Sequence, residues 1–249
     1  MSAVGIIPAR YASTRFPGKP LAEIAGRPMI RHVYERACRT TSLEELLVAT
    51  DDQRIYDAVH SFGGEAVMTS AYHPTGTDRI AEVAERLSAA DIIVNIQGDE
   101  PLIEPEAIDQ VVTGLQNDPD AAMCSVMTPL ADAATAMDPN IVKVVCDLRG
   151  YAMYFSRAPI PGLPAGTTPR VVPWKRHVGL YVYRRDFLLA FTRLRPSPLE
   201  LLERLEQLRA LENGYRIKMI ERDHDFSFGV DTPEDLQRVK ALVEKSLES

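Results

Sequence analysis

No segment of the chain approaches the roughly 20 consecutive apolar residues that span a bilayer, and no positively charged start leads into an apolar run of signal-peptide length. The expected location is therefore cytoplasmic, without a membrane partner. Cysteine is scarce. Cys38, Cys124 and Cys146 are far apart, odd in number and without zinc-ligand spacing, which argues against a disulfide scaffold or zinc centre and fits reduced thiols among apolar neighbours. Basic charge is in deficit: 28 Lys and Arg stand against 35 Asp and Glu, for a net charge of −7 and a pI near 5.3. Such a surface repels polyanions, so nucleic acid is not an expected partner. Internal repeats and low-complexity segments are missing too. What remains is an ordinary globular composition, 45% hydrophobic and 25% charged over 249 residues, enough for one large domain carrying a smaller lobe.

Short, uniformly apolar runs recur at Val4 to Ile7, Leu46 to Ala49, Ile92 to Ile96 and Ala121 to Met127. Runs of this kind suit strands covered on both faces, as in a parallel sheet. Helical patterns separate them: Pro28 to Arg39, Asp52 to Phe62, Thr77 to Leu87, and Glu104 to Leu115 with Pro105 suited to a first helical position. The alternation predicts an α/β fold with a doubly wound, mostly parallel sheet, whose ligands sit at the carboxyl ends of the strands. After about residue 128 the pattern changes. Lys143 to Asp147, Tyr151 to Ser156 and His177 to Tyr183 read as strands without long helices between them, and Pro159 to Pro173 as a proline-rich loop. A helix is predicted from Pro198 to Glu212, capped by Ser197 and Glu200, with Leu201, Leu202, Leu205, Leu208 and Leu211 as its buried stripe and Glu206 and Gln207 at the margins. Arg216 to Ile220 reads as a returning strand, and a last helix starts at the capping box Thr232-Pro233-Glu234-Asp235. The organisation predicted is one domain, with 1–128 and 216–249 as its doubly wound core and 129–215 as a mixed α+β lobe.

The first strand empties into about twenty residues before the helix at Pro28, and long ordered loops of this kind are usually functional. This loop carries Arg10, Arg15 and Lys19 with no carboxylate before Glu23, and has neither G-x-x-x-x-G-K-[ST] nor G-x-G-x-x-G spacing. Phosphate affinity would have to come from its cations and backbone N–H groups. Asp99, in Gln97-Gly98-Asp99-Glu100-Pro101 after the strand ending at Ile96, could hold nucleotide-bound magnesium, or simply be an acidic turn favouring the helix that follows. A second acid-free stretch runs from Gly150 to Arg185 and contains Arg157, Arg170, Lys175, Arg176 and His177. It suits an anionic substrate, which Arg157 could bind through paired hydrogen bonds.

The opening IIPARYASTRFPGKPLAEIAGRPMI, with VATDD, HPTGTDRIAEV, VNIQGDEP, YFSRAPIP, RHVGLYVYR, SPLELLERLEQLR and GVDTPEDL, resembles the 3-deoxy-manno-octulosonate (KDO) cytidylyltransferase family nearly end to end. The R-x-x-S-T-R-x-P-G-K opening is shared with acid-sugar cytidylyltransferases generally, and argues against a GT-A-like glycosyltransferase. The resemblance implies a nucleotide-diphospho-sugar transferase-like fold, CTP and KDO as substrates, Mg2+ as cofactor and a homodimer. It implies that Arg10, Arg15 and Lys19 meet the triphosphate, Arg15, Lys19 and Asp99 acting in catalysis, and that His73, Arg79 and Gln97 lie near the nucleotide. It places metal at Asp99 and Asp231, although Asp231 would otherwise read as a helix-start residue. It assigns Gln97, Arg157, His177, Tyr181, Glu206 and Gln207 to the sugar.

Overall fold

A computed structural model describes residues 1–12, 16–164 and 173–247. Two compact units emerge, Met1–Asp109 with Phe226–Ser249, and Gln110–Asp225. These boundaries fall after Asp109 and Asp225, whereas the sequence reading placed them after residues 128 and 215.

In the first unit, β1 (Ala3–Ala9) lies between two parallel neighbours, β4 (Glu45–Thr50) and β6 (Ile92–Asn95), and β5 (Ala66–Met68) extends the sheet beside β4. Ile6, Ile7, Val48, Ala49, Ile92, Ile93 and Val94 are fully buried, so successive side chains of one strand are covered on both faces, which is why these strands read as unbroken apolar runs. Helices α1 (Met29–Ala37), α2 (Gln53–Ser61) and α3 (Gly76–Arg86) connect or follow them. Asp52 and Thr75 cap α2 and α3 by accepting from the N–H groups of Arg54 and Asp78. Helix α4 (Pro105–Gln116) begins at Pro105, as the sequence suggests.

The loop after β1 is not an open coil. Gly18 takes φ +72, donates to the carbonyl of Tyr11 at 2.9 Å and leads into a 3-10 turn at Lys19–Leu21. The two-residue strands β2 (Glu23–Ile24) and β3 (Arg27–Pro28) then form a hairpin whose turn, Ala25 and Gly26, has positive φ at both residues, as a tight hairpin turn requires. Ile24 and Met29 are buried against Val230, Leu236, Val239 and Val243, with Phe16, Ala22 and Leu102 packed on the same cluster. This apolar contact pins the loop to the last helix of the chain and so fixes where Lys19 points.

The second unit holds β7 (Met123–Pro129), α5 (Ala133–Met137), β8 (Lys143–Cys146), β9 (Ala152–Ser156), β10 (Lys175–Arg184), α6 (Arg185–Phe191), α7 (Pro198–Glu203), α8 (Gln207–Glu212) and β11 (Ile217–Glu221). Its sheet is mixed. β11 runs parallel to β7, β10 antiparallel to β7 and β8, and β8 antiparallel to β9. The single helix predicted over Pro198 to Glu212 is broken: Arg204 sits in the left-handed region at φ 55, between α7 and α8. Leu205 and Leu208 are buried as predicted, but Leu201 and Leu202 are 65% and 79% exposed, because α7 turns Glu200 inward instead. Gln207, expected at a margin, is buried.

The chain closes with α9 (Pro233–Leu247), in the first unit. Asp235 accepts from the N–H and hydroxyl of Thr232 and returns its own N–H to that hydroxyl, the predicted capping box with aspartate at its third position. The three cysteines are free. Cys124 is buried, but Cys38, at the end of α1, is exposed and not embedded as expected. No described helix is long and apolar enough to cross a membrane.

Candidate active site

The carboxyl ends of β1 and β6 open into a cavity of about 260 Å³ in the first unit. Arg10 reaches it from the end of β1, Lys19 from the 3-10 turn, Gln97 and Asp99 from the segment after β6, and Asp231 from the segment before α9. The ammonium of Lys19 lies 2.6 Å from Asp99 Oδ2 and 3.4 Å from Asp231 Oδ1. Two carboxylates far apart in sequence thus converge on one cation. Their backbones are tied as well, the N–H of Val230 donating to the carbonyl of Asp99 at 2.9 Å. Gly98 is required by proximity: a Cβ there would lie 2.9 Å from the carbonyl oxygen of Pro8, so only glycine lets the segment after β6 close on β1. Arg15 lies outside the described residues.

Arg79 and His73 also line this cavity, but both are committed to protein partners. Arg79 is buried, bonding Thr69 Oγ1 at 2.5 Å and pairing with Asp51 at 3.2 Å. His73 Nε2 meets Glu82 Oε2 at 2.5 Å. Burial opposes ionisation of Glu82, yet the Ser70 N–H and His73 hold its carboxyl below the usual range. Asp51 and Glu82 therefore set the cavity wall, and nothing local in the sequence marks them for that task.

A second cavity, of about 350 Å³, belongs to the second unit and is lined by His177, Tyr181, Glu206 and Gln207. The structure gathers these four sugar-pocket candidates, and adds Asn140, Arg176 and Arg204, which the sequence reading had not assigned to it. Arg157 is not among its lining residues. Its guanidinium donates to the carbonyls of Glu203 at 2.9 Å and Pro139 at 3.0 Å. The backbone of Arg157 helps to hold a buried cation: Lys143 donates to the carbonyls of Arg157, Asp138 and Ile141 at 2.6, 2.9 and 2.5 Å. Three acceptors for three N–H bonds require the protonated ammonium. That charge sits behind the loop that supplies Asn140 and Ile141 to the cavity. Arg170 lies outside the described residues.

His177 is buried, its ring 4.8 Å from Phe155 and 5.4 Å from Tyr181. Burial first, and the Arg176 charge second, push its pKa down to about 3. We expect an NMR titration to show the ring neutral throughout pH 5 to 8, and a ring titrating near the ordinary value of about 6.5 would contradict this. Because the unfolded chain binds the proton between those two values and the folded chain does not, His177 lowers stability progressively as pH falls from about 6.5. Burial likewise pushes the Tyr181 hydroxyl upward, leaving it a neutral donor.

Parallel strands that end on a lysine held between two carboxylates, with arginine beside them, define a protein suited to gripping phosphates next to a cation. The family model described as Cytidylyltransferase matches residues 4–220. A relative from Geotalea uraniireducens (strain Rf4), named 3-deoxy-manno-octulosonate cytidylyltransferase, is 54% identical over 98% of this chain and 100% of its own length. One of the same name from Syntrophotalea carbinolica (strain DSM 2380 / NBRC 103641 / GraBd1) is 56% identical over 97% of this chain and 98% of its own. A solved CMP:2-keto-3-deoxy-manno-octonic acid synthetase complexed with CTP superposes with a TM-score of 0.93 at 44% identity, covering 99% of this chain and all of that one. The chain belongs to the cytidylyltransferases and, within them, to the 3-deoxy-manno-octulosonate cytidylyltransferase family.

Proposed function

We propose that the protein transfers CMP from CTP to the anomeric hydroxyl of KDO, giving CMP-KDO and pyrophosphate, for lipopolysaccharide synthesis in the cytoplasm. The observation that carries this reading is Lys19 between Asp99 and Asp231 in a cavity also walled by Arg10. Asp99 and Asp231 fit the magnesium of such a reaction: their oxygens already converge on one cation, and Mg2+ takes one or two carboxylates together with substrate phosphate oxygens. Bound there, magnesium would supply Lewis-acid charge to the reacting phosphate and hydroxyl.

The chain's own residues meet the remaining demand, which is to bring two anions together in line. When a triphosphate enters, Lys19 exchanges its carboxylate partners for phosphate oxygens, with Arg10 and Arg15 sharing the charge, and the two aspartates become available as oxygen donors. Arg79, fixed by Asp51 and Thr69, and Gln97 shape the nucleotide side. In the second unit, the Tyr181 hydroxyl, Glu206 and Gln207 present hydrogen-bonding groups to the sugar beside the neutral His177 ring, while Arg176, Arg204 and the buried Lys143 ammonium give the surroundings the positive charge a sugar carboxylate needs. Arg157 contributes through position, since its guanidinium is bonded to carbonyls on two segments. The same reading makes the enzyme a homodimer, and exposed Leu201 and Leu202 on α7 offer apolar surface for that contact.

The test is pyrophosphate release from CTP in the presence of Mg2+, with UTP and ATP as controls, against KDO, its 8-amino analogue and a sialic acid. Release that needs CTP and KDO together is expected. Release with sialic acid but not KDO would move the protein to another branch of the acid-sugar cytidylyltransferases, and CTP binding without turnover on any sugar would defeat the reading.

A further inference from the structure

Strand β10 loses register with β7 between Val178 and Tyr181. Val178 pairs with Val126 and Tyr181 with the adjacent Ser125, so Gly179 and Leu180 are extra residues bulged out of the ladder. Buried carbonyls freed by a bulge need donors. Ser125, fully buried, has its hydroxyl 3.1 Å from the Val178 carbonyl and 2.9 Å from the Leu180 carbonyl. The same oxygen lies 2.9 Å from His177 Nε2, and His177 Nδ1 lies 3.5 Å from Gln207 Nε2.

Proton counting gives this chain a direction. A serine hydroxyl has one proton, and carbonyls only accept, so that proton goes to the bulge. Ser125 can then meet His177 Nε2 only as an acceptor, which places the imidazole proton on Nε2. A neutral ring protonated there has a lone pair on Nδ1, which faces the amide N–H of Gln207. The Gln207 carbonyl is thereby left as the acceptor for whatever fills the cavity that Gln207, His177 and Tyr181 line.

We propose that Ser125, which is not itself among the residues lining that cavity, is a positioning residue for the sugar: it fixes the His177 tautomer and through it the orientation of the Gln207 amide, so that a substrate hydroxyl finds an acceptor. The role for the sugar rests on the function proposed above. The tautomer does not. No side chain is aimed at the substrate by Ser125 directly. Its influence passes through two hydrogen bonds, and a serine in the middle of an apolar strand carries no sign of this in sequence.

The experiment has two arms. In the unliganded wild-type protein labelled with 15N-histidine, long-range proton–nitrogen NMR should show the His177 ring with its proton on Nε2 and a bare Nδ1; a proton on Nδ1 overturns the proposal. In kinetics, Ser125→Ala should raise KM for KDO about tenfold, the scale of a lost buried hydrogen bond, while kcat and KM for CTP stay within about twofold. Ser125→Thr, which keeps the hydroxyl, should recover most of that loss. An unchanged KM for KDO in Ser125→Ala, or equal losses for both substrates, overturns the proposal. Should either variant fail to fold, the wild-type tautomer decides. A protein that turns over no acid sugar refutes the functional reading, and the ring spectrum still decides whether the Ser125 relay exists.

Discussion

Asp99→Asn is expected to lower turnover by about 10²- to 10³-fold, the usual cost of removing one preorganised electrostatic partner of a transition state, while CTP affinity stays within a few-fold of wild type. The substitution keeps the shape of the side chain and the carbonyl that accepts from Val230. It removes the negative charge that lies 2.6 Å from the Lys19 ammonium. Lys19 retains Asp231 at 3.4 Å, so the cation is not left without a carboxylate, and the cavity becomes more positive and no less attractive to a triphosphate. What is lost is one of the two oxygen donors proposed for magnesium. Calorimetry with CTP in the absence of KDO would measure the first quantity and pyrophosphate release the second. Turnover equal to wild type at saturating magnesium would remove Asp99 from the catalytic role, and a parallel collapse of CTP affinity would make it a ground-state binding residue instead.

That Lys19 and Asp99 could be singled out from sequence has a physical basis. β1 and β6 are buried on both faces and read as uninterrupted apolar runs, so charged residues at their carboxyl ends stand out against them. Asp231 had no such signal, since Thr232 and Asp235 account for the helix start alone, and only the family resemblance connected it with Asp99. β5 was missed because its three residues are not fully buried and carry no run to detect. The break at Arg204 was missed because the left-handed residue is an arginine and not the glycine that would have announced it. Arg157 read as a free anion-binding residue, but the carbonyls it bonds come from Pro139 and from Glu203, 18 and 46 positions away. Pairings of that range are set by packing and leave no local pattern.

The inward turn of Glu200 produces the largest expected effect on stability. Glu200 and Arg209 are only 11% and 9% exposed at their side chains, and Arg209 Nε donates to Glu200 Oε2 at 2.8 Å. The same carboxylate oxygen accepts from the N–H of Ser197 at 3.0 Å, and the guanidinium lies 4.8 Å from the centre of the Phe191 ring. Glu200→Ala removes the closer of the two carboxylates that face the buried guanidinium and leaves Glu206 Oε1 at 3.7 Å, which should cost about 3 kcal/mol in urea unfolding of the second unit's signal. Glu200→Leu combined with Arg209→Met should recover most of the loss, because an apolar pair of similar volume avoids the desolvation cost altogether. If the double variant is no more stable than the single one, the penalty comes from lost packing and not from a stranded charge. Burial raises the Glu200 pKa, but the Arg209 and Ser197 hydrogen bonds outweigh it and hold the carboxyl below its ordinary range. The contribution of the pair is therefore complete above about pH 4.3, the unfolded value for glutamate, and is lost as pH falls through the lower folded value. The pair also joins α7 to α8 across the turn at Arg204, and α8 begins with Gln207. A double variant that regains stability should therefore regain KM for KDO as well, because what Gln207 requires of this pair is a fixed α8 and not a charge.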